Sequence, residues 1–123
     1  MRVYKYKLDP LAPYTTVQMP MGAEVLDFRE QPPGSVGSTE GYYIWALVDD
    51  TVAHEHRYFT IVPTGYEMPT RFRGAPVSLK YIGASHCLLP AGNFVLHCFE
   101  IIEARPPAES YPDDLQVQTA RDC

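Results

Sequence analysis

The sequence predicts an all-β fold of six or seven short antiparallel strands, arranged as a small barrel or a sandwich. Twelve prolines and eight glycines divide the 123 residues into brief segments, which argues against long helices. Apolar residues make up 46% and aromatic residues 12% of the chain, a composition that suits strands better than disorder. A chain of this length is typical of one domain.

Charge and cysteine content narrow the possible functions. A net charge of −5 argues against sequence-independent binding of nucleic acid, which requires Lys and Arg to displace counterions. Residues 1–10 interleave charges with aromatic residues, unlike a signal peptide or a spanning helix. Three cysteines, one of them Cys123, are more typical of reduced thiols than of a disulfide framework. We therefore expect a cytosolic protein with no cofactor and no direct nucleic-acid or membrane partner.

The first two strands are predicted from alternation and from β-branched residues. In residues 2–8, Lys5 and Lys7 alternate with Tyr4, Tyr6 and Leu8. This alternation indicates an edge strand whose lysines lie on the more solvent-exposed face. Residues 14–19 contain enough β-branched residues for a second strand.

A third strand and the clearest loop follow. A tight turn at residues 20–22 leads into a strand at 23–30, in which Leu26 and Phe28 are predicted to share the covered face. Residues 31–41 combine Pro-Pro, three glycines and small polar residues, which predicts a loop.

The most apolar run, residues 42–48, has no polar alternation and therefore predicts a central strand buried on both faces. Its Trp45 is predicted to anchor the core. Residues 55–62 predict the next strand, in which Arg57 shares a face with Phe59. We expect these two runs to form a hairpin.

An irregular stretch and a final strand pair complete the predicted domain. Residues 63–78 hold too many turn-forming residues for regular structure and predict a compact loop. Residues 79–89 and 93–102 predict an antiparallel pair, in which Gly83 marks a bulge or a close backbone approach.

The domain is predicted to span residues 1–103. Residues 104–123 contain three prolines and few large apolar residues, which predicts an extended or flexible tail with room for one short helical turn at 113–120. Tyr111 stands between acidic residues in this tail, which suits contact with a basic partner, although solvation is the simpler interpretation.

Six short motifs occur in one order along the chain: "YKY" at 4–6, "VQMPMGAEVLDF" at 17–28, "YIWALVD" at 43–49, "RYFTIVPTGYEMP" at 57–69, "YIGASH" at 81–86 and "FVLHCFE" at 94–100. Together they resemble a family of small uncharacterised proteins of tailed bacteriophages and prophages, a domain of unknown function, over residues 1–103. The resemblance implies a phage context and a small β-rich fold, and it implies no catalytic residue. Pro63 and Tyr66 stand where a Gly and a His often flank the Thr-Gly of that family.

The histidines raise the question of a metal site. His54 and His56 have the His-x-His spacing that places both imidazoles on one face of a strand, as zinc sites do. A metal centre would need both of them together with His86 and His97, which belong to the final strand pair. Exposure of His54 and His56 at a strand start is the simpler interpretation.

The stretch "HCLLPAGNFVLHC", residues 86–98, carries two His-Cys dipeptides around a turn. Neighbouring strand residues point to opposite faces, so only one residue from each dipeptide can meet across the pair. One register places His86 beside His97, and the other pairs Cys87 with His97 and His86 with Cys98.

Nucleophilic catalysis lacks its usual signals. Cys87 or Cys98 could combine with a histidine and an acid such as Glu100, but no helix N-terminus or persistent cation that would lower a thiol pKa is predicted nearby. The favoured interpretation is that the cysteines are small buried apolar residues.

Binding through the surface is the function that the sequence supports best. The stretch "PTGYEMPTRFRG", residues 63–74, brings together Tyr66, Met68, Arg71, Phe72 and Arg73, a composition common at protein interfaces. Packing of this stretch over an open sheet end is an equally weighted alternative.

We therefore expect a non-enzymatic phage or prophage accessory protein that binds a host or phage protein in the host cytoplasm, for example to inhibit a defence component. One alternative is a metal-dependent enzyme or small-ligand binder that uses the His-bearing hairpins. Another is a minor virion or assembly protein, since edge strands can pair between chains and also fit a homodimer.

Overall fold

The computed structural model describes residues 1–31, 40–86 and 95–103. They form eight strands, which are β1 (Arg2–Leu8), β2 (Thr15–Pro20), β3 (Glu24–Gln31), β4 (Gly41–Val48), β5 (His54–Pro63), β6 (Arg71–Phe72), β7 (Ala75–His86) and β8 (Val95–Glu103). The all-β prediction is confirmed, and the described residues form eight strands where six or seven were predicted. The described ranges contain no helix that is long and apolar enough to cross a membrane.

The strands form two antiparallel sheets that face each other. One has three strands in the order β1-β4-β3, and the other has five in the order β2-β5-β8-β7-β6. The strand orders do not close into a barrel, so the sandwich alternative fits and the barrel alternative is not supported. The sheets approach each other at β3 and β7, where the Glu30 amide donates to Ser85 Oγ at 3.1 Å.

The core lies between the two sheets. The three-stranded sheet contributes Phe28 and Ile44, both 0% exposed, and the five-stranded sheet contributes Met19 and Cys98, also 0% exposed. The central position predicted for residues 42–48 is confirmed, because β4 is hydrogen-bonded to β1 on one side and β3 on the other. β1 is an edge strand, as predicted.

The predicted hairpin between residues 42–48 and 55–62 is wrong. β4 pairs with β1 and β3, whereas β5 pairs with β2 and β8 in the other sheet. The connection between them therefore carries the chain from one sheet to the other. Its turn is held by Asp49, whose Oδ1 accepts from the Thr51 amide at 3.0 Å.

A β-bulge corrects the predicted face of Leu26. The register of β3 against β4 shifts between Val25 and Asp27, so Leu26 is the extra residue and the alternation changes phase there. Phe28 is fully buried, while Leu26 is 47% exposed. The two side chains therefore do not share a face.

Trp45 is not the core anchor that its size suggested. Its neighbours Ile44 and Ala46 belong to the core cluster, whereas Trp45 is half-buried and packs at 6.1 Å from Tyr43. Since successive strand residues point to opposite faces, Trp45 lies on the outer face of the three-stranded sheet.

The stretch predicted to be irregular contains two strand segments. β6 pairs with the start of β7, with Phe72 opposite Ala75, so the chain reverses through Arg73 and Gly74. Both have positive φ, 54° and 78°, as a two-residue hairpin turn requires.

The final strand pair is confirmed, but neither predicted register is present. His86 lies opposite Val95, and Ala84 lies opposite His97. The pairing of β7 with β8 also shifts by one residue between Tyr81 and Gly83, which confirms the predicted bulge. Cys87, the turn that follows it, most of the 31–41 loop and the tail with its helical turn lie outside the described residues.

Candidate functional site

The face of the five-stranded sheet that points away from the core holds the candidate site. Thr60 and Val62 of β5 lie opposite Phe99 and His97 of β8 on this outer face. After β5 the chain turns, because the Tyr66 amide donates to the Pro63 carbonyl at 3.1 Å. Residues 64–74 then line two clefts together with the outer face.

The first cleft, here named the aromatic cleft, has a volume of about 260 Å³, and its lining includes Val62, Thr64, Tyr66, Met68, His97 and Phe99. Tyr66 is 65% exposed and Met68 is 39% exposed. Tyr81 lies beside the cleft, 54% exposed, with its ring edge-on to Phe99 at 5.3 Å. Several large apolar side chains are thus exposed to solvent next to one another, which is typical of a binding surface.

Hydrogen bonds hold one wall of the aromatic cleft. The Thr64 amide donates to the Val95 carbonyl at 3.0 Å, and the Thr64 hydroxyl donates to the same oxygen at 3.2 Å. His97 Nε2 lies 2.8 Å from Thr64 Oγ1, and the Tyr81 hydroxyl lies 3.4 Å from His97 Nδ1. Both ring nitrogens of His97 are thereby engaged.

The second cleft, here named the arginine cleft, has a volume of about 340 Å³, and its lining includes Tyr14, Arg71, Phe72, Arg73, Val77 and Ile101. The Tyr14 and Phe72 rings meet edge-on at 4.8 Å. The Arg71 guanidinium donates to the Gly74 carbonyl across the β6–β7 turn. Of the side chains that the structure describes, no Asp or Glu lines this cleft.

Arg73 holds an unusual backbone conformation at the edge of the arginine cleft. Its φ of 54° lies in the left-handed region, which costs free energy for a residue with a Cβ. Its guanidinium stacks at 4.5 Å from the Tyr58 ring centroid and 5.2 Å from that of Phe72. These cation–π contacts offset part of the backbone cost and keep the positive charge over an aromatic surface.

The structure separates the five residues that sequence reasoning grouped as one interface. Tyr66 and Met68 belong to the aromatic cleft, whereas Arg71, Phe72 and Arg73 belong to the arginine cleft. Phe72 is only 7% exposed, so its main contribution is to pack the turn onto the sheet. The position of Phe72 fits the alternative interpretation, in which this stretch packs over the sheet. The interpretation of Tyr66 and Met68 as interface residues stays a prediction.

The structure does not bring the four histidines together. His54 and His56 are exposed at the start of β5, opposite Pro20 and Gln18. His97 lies opposite Val62, so positions 56 and 62 separate it from His56 by roughly 20 Å along the strand. His86 ends β7, further along the sheet. Among the residues that the structure describes, no three His, Cys, Asp or Glu side chains are grouped to hold a metal ion.

A buried ion pair lies on the inner face of the five-stranded sheet. Arg57 Nε and Nη2 donate to the two Glu100 carboxylate oxygens at 2.7 and 2.9 Å. The side chains are 16% and 6% exposed, and Arg57 Nη1 also donates to the Ala23 carbonyl. The hydrogen bonds that Arg57 donates to Glu100 raise the pKa of Arg57, which therefore stays charged. In the sequence, this ion pair was indicated only by the prediction that Arg57 shares a strand face with Phe59.

Cys98 is buried beside this ion pair and is not a reactive thiol. Burial, together with the negative charge of Glu100, raises the pKa of Cys98 to about 12. A nucleophilic cysteine requires the opposite shift. The structure therefore places Cys98 among the core residues, as the sequence favoured.

Stability should fall with rising pH because of Cys98. An unfolded thiol loses its proton near pH 8.5, whereas folded Cys98 keeps its proton up to about pH 12, so the unfolded chain binds fewer protons in this window. Its contribution to stability is complete below pH 8.5 and is lost as the pH rises toward 12. We expect urea unfolding between pH 7.5 and 10.5 to show a steeper loss of stability for the wild type than for Cys98→Ala. Parallel curves for the two proteins would contradict the assignment.

Comparison with known proteins gives one match. A family model described as a domain of unknown function, DUF7352, matches residues 1–109. The search of curated proteins and the search of solved structures found no match.

Proposed function

We propose that this chain, which belongs to the DUF7352 family of domains of unknown function, acts without catalysis by binding another protein through the aromatic cleft. The observation that carries the proposal is the exposure of Tyr66 and Met68 on a wall fixed by the Thr64 hydrogen bonds. Exposed side chains that are already ordered lose little conformational entropy when a partner covers them. Tyr81 extends the same surface along β7.

The shape of the cleft favours a protein partner over a small molecule. Small-molecule sites enclose most of the surface of their ligand, whereas the aromatic cleft is open along one side. Both ring nitrogens of His97 are hydrogen-bonded within the protein, which disfavours a role for this histidine as a metal ligand. A flat partner surface with one apolar projection fits these features best.

The partner and its setting are proposed from the sequence resemblance. The phage and prophage family that the chain resembles supports a host or phage protein as the partner, met in the host cytoplasm. A component of host defence is one candidate, because an accessory protein that only binds can inhibit by blocking a surface. The net charge of −5 favours a partner with a basic patch.

Capture with matched variants tests this proposal. Three tagged proteins are used to recover partners from host lysate, and the partners are identified by mass spectrometry. The three proteins are the wild type, the cleft variant Tyr66→Ala/Met68→Ala and the control variant Val3→Ala/Leu26→Ala. The control residues are 56% and 47% exposed but lie on the three-stranded sheet. We expect the cleft variant to weaken binding of the identified partner by at least about tenfold and the control to leave it unchanged.

Two results would contradict the proposed function. One is recovery of the same partner with equal affinity by the cleft variant and the wild type. The other is recovery of no protein above a tag-only control in repeated trials.

Edge strands support self-association as a second candidate function. β1 is an edge of the three-stranded sheet, with β4 as its partner on one side. Such an edge can pair with a second copy in an assembly or virion component, although Lys5 and Lys7 oppose close approach of two copies. Native mass spectrometry of the full chain would support this candidate by showing dimers and exclude it by showing only monomers.

A further inference from the structure

The arginine cleft offers a positively charged surface for an acidic ligand. Arg71 and Arg73 line it beside the rings of Tyr14 and Phe72, and its lining holds no acidic side chain among those that the structure describes. Within residues 1–31, 40–86 and 95–103, no carboxylate forms an ion pair with Arg71. Arginine next to aromatic rings is suited to carboxylates accompanied by an aromatic or proline residue.

The chain itself carries such a segment close by. β8 ends at Glu103, which lies opposite Val77, and both Val77 and Ile101 line the arginine cleft. The chain therefore leaves the sheet beside this cleft. Residues 109–114 read Glu-Ser-Tyr-Pro-Asp-Asp, with three acids around one tyrosine. The residues between positions 103 and 109 can span up to about 20 Å, which is enough to reach the cleft.

From this geometry we propose that residues 109–114 of the same chain dock in the arginine cleft. Their carboxylates pair with the guanidinium groups of Arg71 and Arg73, and Tyr111 packs against the aromatic lining. Only residue 109 of this segment lies within the family match, which covers residues 1–109. The inference is independent of the proposed function, which concerns the aromatic cleft.

Paramagnetic relaxation in the full chain tests the docking. Ser110→Cys carries a nitroxide, and Cys87→Ser and Cys123→Ser leave the buried Cys98 as the remaining native thiol. We expect loss of the amide signals of residues 71–74, with the signals of Lys5 and Lys7 retained. The baseline is the same labelled chain with Glu109→Gln, Asp113→Asn and Asp114→Asn, in which we expect the signals of residues 71–74 to return. High salt should return them as well, because it screens the ion pairs.

Three outcomes would overturn the docking. Equal signal loss in the charged and the neutral tail means that the tether alone keeps the label nearby. Signal retention in both means that the tail does not occupy the cleft. Signal loss in isotope-labelled chains that are mixed with separate nitroxide-labelled chains means that a second copy supplies the tail. Arg71→Gln, with its fold checked by the remaining amide spectrum, should return the signals as the neutral tail does.

Discussion

Replacing Glu100 with leucine should lower the free energy of unfolding by about 3–5 kcal/mol, because Arg57 then remains charged and buried without its carboxylate. Glu100 is 5% exposed and accepts two hydrogen bonds from Arg57. Glu55, whose Oε2 lies 3.9 Å from Arg57 Nη1, is too distant and too exposed to replace it. Urea unfolding at neutral pH measures the loss.

A double replacement separates the broken pair from lost packing. In Arg57→Leu/Glu100→Leu both charges are absent, so we expect most of the lost stability to return. The Ala23 carbonyl then loses its Arg57 donor, which leaves a residual cost of about 1–3 kcal/mol. If the single and double variants were equally unstable, the cost would come from packing, and the account of the ion pair would be wrong.

Phe28→Ala should destabilise the fold by about 3–5 kcal/mol, because it removes a ring that is fully buried between the sheets. The Phe28 ring stacks on Tyr42 at 6.0 Å and belongs to the core cluster. Leu26→Ala is the matched control, since it is two positions away and 47% exposed. We expect its effect to stay within about 0.5 kcal/mol.

This pair of variants tests the bulge in β3 directly. A regular strand would bury Leu26 and Phe28 alike, so both substitutions would then be costly. Similar losses of stability for the two variants, measured by thermal or urea unfolding, would show that the alternation does not change phase at Leu26.

Strand positions were predictable from the sequence because prolines, glycines and short polar turns bound each apolar run. The runs predicted at 42–48 and 55–62 correspond to β4 and β5. Three of the four predicted ends differ from the observed ends by one residue, and the end at position 48 coincides. Their pairing was not predictable, because a short polar connection serves both a hairpin and a crossing between sheets. β4 lies between β1 and β3, and β5 lies between β2 and β8; of these four neighbours, only β3 directly precedes its partner in the chain.

The site was predictable in its composition and not in its arrangement. Clustered aromatic and arginine residues at 63–74 predicted an interface, which stays a prediction. In the structure this stretch lines two clefts, and its division between them depends on the β6–β7 turn. His97 meets Thr64 and Tyr81 only through the pairing of β8 with two other strands. Such contacts depend on register, and the register of β7 against β8 is neither of the two that the His-Cys dipeptides suggested.

Photo-crosslinking in cells that produce the protein tests the proposed binding surface most directly. Benzoylphenylalanine placed at position 66 reports on the aromatic cleft, and the same probe at position 26 reports on an exposed site of the other sheet. We expect one dominant crosslinked protein from position 66, and we expect that this protein is not crosslinked from position 26. Equal crosslinking at the two positions, or crosslinking at position 26 alone, would contradict the assignment of protein binding to the aromatic cleft.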